Sequence, residues 1–163
     1  MRVLGLDPSL VACGWGIVDM DGTKLRHIGH GVIRPPKSAP LHKRLSFLYA
    51  KIENIIEDAA PDTAGVEEAF MKDNAMSALK LGHARAVCLL APSRAGLSVG
   101  EYSARSVKKS VTGTGAADKA QVAAMINVLL PAAGGVKAGD AADALAIAIC
   151  HGHHMPAALR ATL

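Results

Sequence analysis

Aromatic residues are scarce in this chain: one tryptophan, two tyrosines and two phenylalanines among 163 residues. Long apolar runs are missing too. Asp143 interrupts Ala141 to Cys150, and Arg85 and Pro92 bracket Ala86 to Ala91, so nothing approaches the roughly 20 residues that span a bilayer. Asp7-Pro8 falls where the apolar core of a secretory signal would run, which sets the expectation of a cytoplasmic protein with no membrane association. The three cysteines, Cys13, Cys88 and Cys150, are odd in number, widely spaced and embedded in apolar segments. That excludes a disulfide framework or a zinc CxxC site and leaves reduced, core-filling residues. No internal repeat or low-complexity tract is present.

What remains is globular. Half of the residues are hydrophobic and a fifth are charged, and the length suits one domain able to bury a full core. The expected layout is a single domain over residues 1–155 followed by a short tail, 156–163. A net charge of +4 gives a mild pull toward a polyanionic partner.

Val3 to Leu6 is a short apolar run ending at Asp7-Pro8, as in a buried strand that delivers a carboxylate to its C-terminal end. Gly14 to Met20 and Lys24 to Ile33 read as two further strands joined by an Asp21-Gly22 hairpin. After the Pro-rich loop 34–40, Leu41, Leu45, Leu48, Ile52, Ile55 and Ile56 recur at helical spacing until Pro61. Thr63 to Val66 reads as a strand ending in Glu67-Glu68, 74–90 as a helix, 97–102 as a strand, and 103–111, 118–130 and 140–150 as helices. The order βββαβα followed by βα and additions calls for an α/β fold with a mixed five-stranded sheet. Its first three strands are antiparallel, and crossover helices cover both faces.

The acids carry the chemistry. Asp7 and Glu67 each terminate an apolar strand, and Asp143 lies among alanines, leucine and isoleucine on the last helix. A buried lone carboxylate is costly. Asp140 and Asp143 are three residues apart and share one helix face. Asp140 by itself is equally readable as an N-cap. Carboxylates in this number repel one another unless cations neutralise them, and hard oxygen ligands select Mg²⁺ or Mn²⁺ over zinc. A pair of such ions about 4 Å apart hydrolyses phosphodiesters.

Four ordered blocks resemble one known family: LGLDPSL with GWGIVD, VEEAFMKDNAMSALKLGHARAV, EYSARSVKKSVTGTGAADKAQV and AGDAADALAIAICH. They are similar to the RuvC-type Holliday-junction resolvases of the RNase H-like superfamily, over about residues 2 to 155. The resemblance places the four catalytic acids on Asp7, Glu67, Asp140 and Asp143. It implies a Mg²⁺-dependent homodimer that nicks opposite strands of a four-way DNA junction and leaves 5′-phosphate ends, with RuvA and RuvB as branch-migration partners. Pro92 and Gly100 depart from the family pattern and are expected to shorten the second helix and loosen the following strand.

Around the acids, several residues are open to two readings. Phe70 is a core filler by sequence alone, and the resemblance places it on a DNA-facing loop where it would stack on an unpaired base. Arg105, Lys108, Lys109 and Lys119 are either a solvated helix face or phosphate contacts; the resemblance favours DNA contact for Lys108 and Lys119. Ala78, Gly82 and Ala86 form a small-residue stripe that serves either the chain's own sheet or a two-fold mate. His151, His153 and His154 read as a helix end and tail rather than a metal tract. Competing functions are an RNase H-like enzyme acting on RNA, a phosphotransferase of the actin and sugar-kinase type, and a junction-binding module without catalysis. The KSVTGTGAADKAQV block disfavours the first, the single domain the second and the four intact acids the third.

Overall fold

The computed structural model describes residues 1–68 and 75–155. Phe70 and the expected tail 156–163 lie outside them. β1 (Arg2–Asp7), β2 (Cys13–Asp21) and β3 (Lys24–Ile33) form an antiparallel meander. β4 (Thr63–Glu68) lies parallel to the other side of β1, and β5 (Ser98–Ser103) lies parallel to β4, giving the order β3-β2-β1-β4-β5. The β2–β3 turn sits one residue beyond the expected Asp21-Gly22. Asp21 pairs with Lys24, so Gly22 and Thr23 make the turn, and Gly22 takes the left-handed φ of 57°.

Helices cover both faces, as the element order requires. α1 (Leu41–Ala59) and α2 (Ala75–Arg94) pack on one side against Leu4, Leu6, Ile17, Ala64 and Val66. α3 (Ala104–Thr112), α4 (Lys119–Leu129) and α5 (Asp140–His154) pack on the other side with Val3 and Val18. α2 is not shortened by Pro92. The helix runs on to Arg94, with Pro92 buried in its last turns, where the missing N–H costs one ladder bond and Ala95 N–H still reaches Ala91 O at 3.2 Å. The three described cysteines are free and buried, as expected, with Cys13 Sγ 3.7 Å from Cys88 Sγ.

α5 is the central element. Ala144 to Gly152 are all buried, so about two and a half turns of it have no solvent face. Such depth requires that the sheet beneath carry no side chains. A Cβ on Gly5 would collide with the Ala144 carbonyl, one on Gly14 with the Asp140 carbonyl, and one on Gly16 would lie 2.8 Å from the Leu145 backbone nitrogen. Gly65 does the same for His151, whose Cβ would be 2.7 Å away. The glycines are a lane in which an alanine-rich helix lies close to the strands.

His151 corrects the expectation of an ordinary helix end. It belongs to the last turns of α5, yet it is 2 % exposed and points into the sheet. Its Nε2 is 2.6 Å from Thr63 Oγ1 and its Nδ1 is 2.9 Å from the Tyr102 hydroxyl. Thr63 Oγ1 already donates to Ser98 O at 2.9 Å, so it accepts from Nε2–H, and Nδ1 accepts from Tyr102 O–H. Burial, helped by the neighbouring His154, holds this imidazole down at about 4, so it is neutral and gains nothing from the helix dipole. Gly100 is needed here rather than disruptive. β5 pairs with β4 along its length, and a Cβ at Gly100 would lie 2.6 Å from His151 Nδ1.

Gly5→Ala is expected to destabilise the fold by about 1–3 kcal/mol or more, because the Ala144 carbonyl belongs to a helix buried on all sides and cannot retreat. Urea denaturation measures it.

Candidate metal and phosphodiester site

Two strands repeat one local pattern. In Gly5-Leu6-Asp7 and Gly65-Val66-Glu67 the glycine and the acid, two residues apart, face α5, while the residue between them faces α1 and α2. Leu6 pairs with Val66 across the parallel ladder, so Asp7 and Glu67 emerge side by side at the C-terminal ends of adjacent strands. The first turn of α5 brings Asp140 and Asp143 to the same place.

Asp140 is not a helix cap. Gly139 occupies the N-cap with a φ of 149° open only to glycine, its carbonyl accepts Asp143 N–H at 3.0 Å, and no side-chain cap is made. Asp140 is instead the first helical residue, half-buried, and close enough for its charge to act on Asp7. Asp143 is 22 % exposed and paired to Lys119 Nζ at 3.1 Å. Glu68, beside Glu67, is exposed and takes no part.

Electrostatics confirm that the acids share one field. Burial pushes the Asp7 carboxyl up to about 8, and Glu67, Asp143 and Asp140 add to the rise in that order. Glu67 is also raised, by burial and by Asp143, and is relieved by a hydrogen bond with Asp7 and by Lys119 and Lys108. A proton between Asp7 and Glu67 and the Lys119 ammonium on Asp143 thus offset the crowding of negative charge. Among the described residues no three such side chains already converge as ligands of one ion. The donor set itself fits a hard cation: carboxylate oxygens only, in excess of local positive charge, at strand and helix ends.

A cleft of about 240 Å³ opens between these acids and the helices beyond. Asp7, Glu67 and Asp143 form one wall, Lys108 of α3 and Lys119 of α4 the other, over an apolar floor of Val107, Val122 and Ile147. Of the four cations singled out in the sequence, Lys108 and Lys119 reach the cleft. Arg105 and Lys109 stay on the exposed side of α3, with Gly115 packed under the Arg105 stem. A wider cleft of about 720 Å³, lined by Arg2, Asp19 and Asp62, contains no such convergence of acids, since Asp19 is neutralised by Arg2 and Arg26.

A mixed sheet of this order with helices on both faces, and acids at the ends of β1 and β4 and the start of α5, defines an RNase H-like nuclease. The family model for "Crossover junction endodeoxyribonuclease RuvC" matches residues 3–151. A protein of that name from Maricaulis maris is 60 % identical over 155 residues, covering 94 % of this chain and 92 % of its own. One from Caulobacter vibrioides is 57 % identical over 150 residues, covering 92 % and 88 %. The structure of T. thermophilus RuvC in complex with Holliday junction substrate superposes with a TM-score of 0.86 at 31 % identity over 93 % of both chains. The chain belongs to the RuvC family, metal-dependent endodeoxyribonucleases that resolve Holliday junctions in DNA recombination and repair. Among the described residues no helix is long and apolar enough to cross a membrane.

Because the folded state favours protonated Asp7, its contribution to stability is fully present below the ordinary carboxylate value of 3.8 and is lost as pH rises through about 8. The chelator-treated protein should therefore lose thermal stability across that window, and Asp7→Asn should lose less. Differential scanning calorimetry with and without Mn²⁺ checks this. Parallel pH profiles for the two proteins would show that Asp7 is not under strain.

Proposed function

We propose that two copies of this chain, paired through α2, cut a four-way DNA junction symmetrically in the cytoplasm, with Asp7, Glu67, Asp140 and Asp143 holding two Mg²⁺ ions per subunit. Mn²⁺ substitutes for Mg²⁺ in the same oxygen donor set. The observation that carries this reading is Asp7, half-buried at a strand end and crowded by three further acids beside two lysines. Bound ions would supply an activated water and charge neutralisation at the leaving oxygen, giving 5′-phosphate and 3′-hydroxyl ends.

The chain's own residues do the rest. The four acids would hold the ions, and the ends of β1, β4 and α5 that carry those acids are fixed by the close packing of α5 on the sheet. Lys119 stands on Asp143 until a phosphate offers it a second partner, and Lys108 faces the same cleft from α3. Arg105 and Lys109, exposed on α3, extend the phosphate contacts along the strand, so binding weakens with salt. Phe70 stacks on an unpaired base near the junction centre, and RuvA and RuvB are the partners that the family resemblance supplies.

α2 supports the pairing. Its buried face is Ala84, Cys88, Ala91 and Pro92, which leaves Gly82 and Ala86 exposed, with Ala78 half-buried. Leu79 is 55 % and Leu90 53 % exposed on that helix. A small-residue stripe flanked by exposed leucines suits close approach of a second copy, and a two-fold pair suits a substrate with two equivalent strands.

Cleavage of a synthetic four-way junction in Mg²⁺ tests the reading. Asp7→Asn should bind the junction without cutting it, with a loss of at least about 10³-fold. Full cleavage by that variant removes Asp7 from the site, and equal cutting of plain duplex removes the junction. Separately, Leu79→Glu should shift the protein to monomer in sedimentation velocity; an unchanged dimer would place the pairing elsewhere.

A further inference from the structure

We infer that the buried chain Tyr102–His151–Thr63–Ser98 positions the nuclease cleft, setting where α3 and its Lys108 stand relative to the acids of α5. The inference rests on the reading of Lys108 as a cleft cation. It assigns His151, Tyr102 and Thr63 a role as positioning residues, none of which touches the reacting atoms.

The connection is short at every link. Tyr102 is followed at once by Ser103, which ends β5 and caps α3 by accepting Ser106 N–H at 3.2 Å. No loop intervenes, so whatever fixes Tyr102 fixes the origin of α3. Lys108 follows Ser103 by roughly 7 Å of helix. At the other end, α5 is one uninterrupted helix that bears Asp140 and Asp143 in its first turn and His151 about 12 Å further along. One rod therefore holds the acids with one end and the root of the opposing wall with the other.

β5 needs such a tie. It is an edge strand with a ladder on one side only, to β4. The Tyr102 hydroxyl, 2.9 Å from His151 Nδ1, links it to the helix layer, and Thr63 Oγ1, 2.6 Å from Nε2, closes the chain back onto β5 at Ser98 O. Gly65 and Gly100 are register partners on adjacent strands, and both leave the space that the His151 ring fills. An apolar side chain of similar size would fill that seat as well for stability alone. Directional bonds on both ring nitrogens add to the packing of Tyr102 against α5 a fixed angle of β5 that an apolar ring would not impose.

Single-turnover cleavage of a four-way junction in Mg²⁺, well below the unfolding midpoint, distinguishes positioning from simple stability. Tyr102→Phe and Thr63→Val each delete one hydroxyl and keep the packing. Tyr102→Phe should slow cleavage about tenfold in the parent and less than about twofold in Lys108→Ala, because the residue it positions is then absent. Thr63→Val should show the same dependence on Lys108 with a smaller loss. Equal losses in both backgrounds, or full rates with only a lowered melting temperature, overturn the inference. A Lys108→Ala protein that cuts at the parent rate overturns the underlying reading of Lys108, and that single variant tells the two failures apart.

Discussion

Everything in this fold follows from how closely α5 lies on the sheet. A helix normally stands on a strand layer with side chains between them. Here glycines at positions 5, 14, 16 and 65 and alanines at 144 and 148 remove most of that layer, and the helix backbone comes within contact of the strands. Close packing of this kind is stiff, because no rotamer can give way. It also brings the first turn of α5 to the ends of β1 and β4, where Asp7 and Glu67 emerge. The acids meet because the glycines make room.

The same packing creates the electrostatic tension at the site. Desolvation is the leading cause of the raised Asp7 carboxyl, ahead of any single neighbouring acid. A position that dry would suit an apolar side chain, and the fold keeps a carboxyl there by sharing a proton with Glu67 and by setting Lys119 on Asp143. A hard cation held by these acids would take over both roles. Local stability is given up where chemistry needs a charge.

Much of this was legible beforehand. The apolar runs ending in Asp7 and Glu67, the hairpin and the α1 stripe each report a local periodicity, and the strand order follows from connection rules. Pro92 and Gly100 were misjudged because their neighbours in space were unknown: Pro92 lies in a buried last turn, and Gly100 makes room for a ring fifty-one residues away. Asp140 could be separated from a cap only by the φ of Gly139. His151 was hidden by its surroundings, since a histidine near a helix C-terminus is commonly a surface residue, and its partners Thr63 and Tyr102 come from two different strands. The repeat of glycine two places before each strand acid was present in the sequence and would have marked the α5-facing side.

The size of the cleft limits what the site can recognise. At about 240 Å³ it lies below the range of pockets that engulf a drug-sized ligand, and its polar lining is acid on one side and lysine on the other. It has room for a phosphodiester and its counter-ions, and the polar groups that line it are charged side chains, suited to phosphate and cations rather than to the edge of a base. A strand laid there would present its phosphate backbone, which is the same at every step of DNA. Discrimination between one stretch of sequence and another has to be exercised outside the cleft, by whatever decides which phosphate is delivered to it.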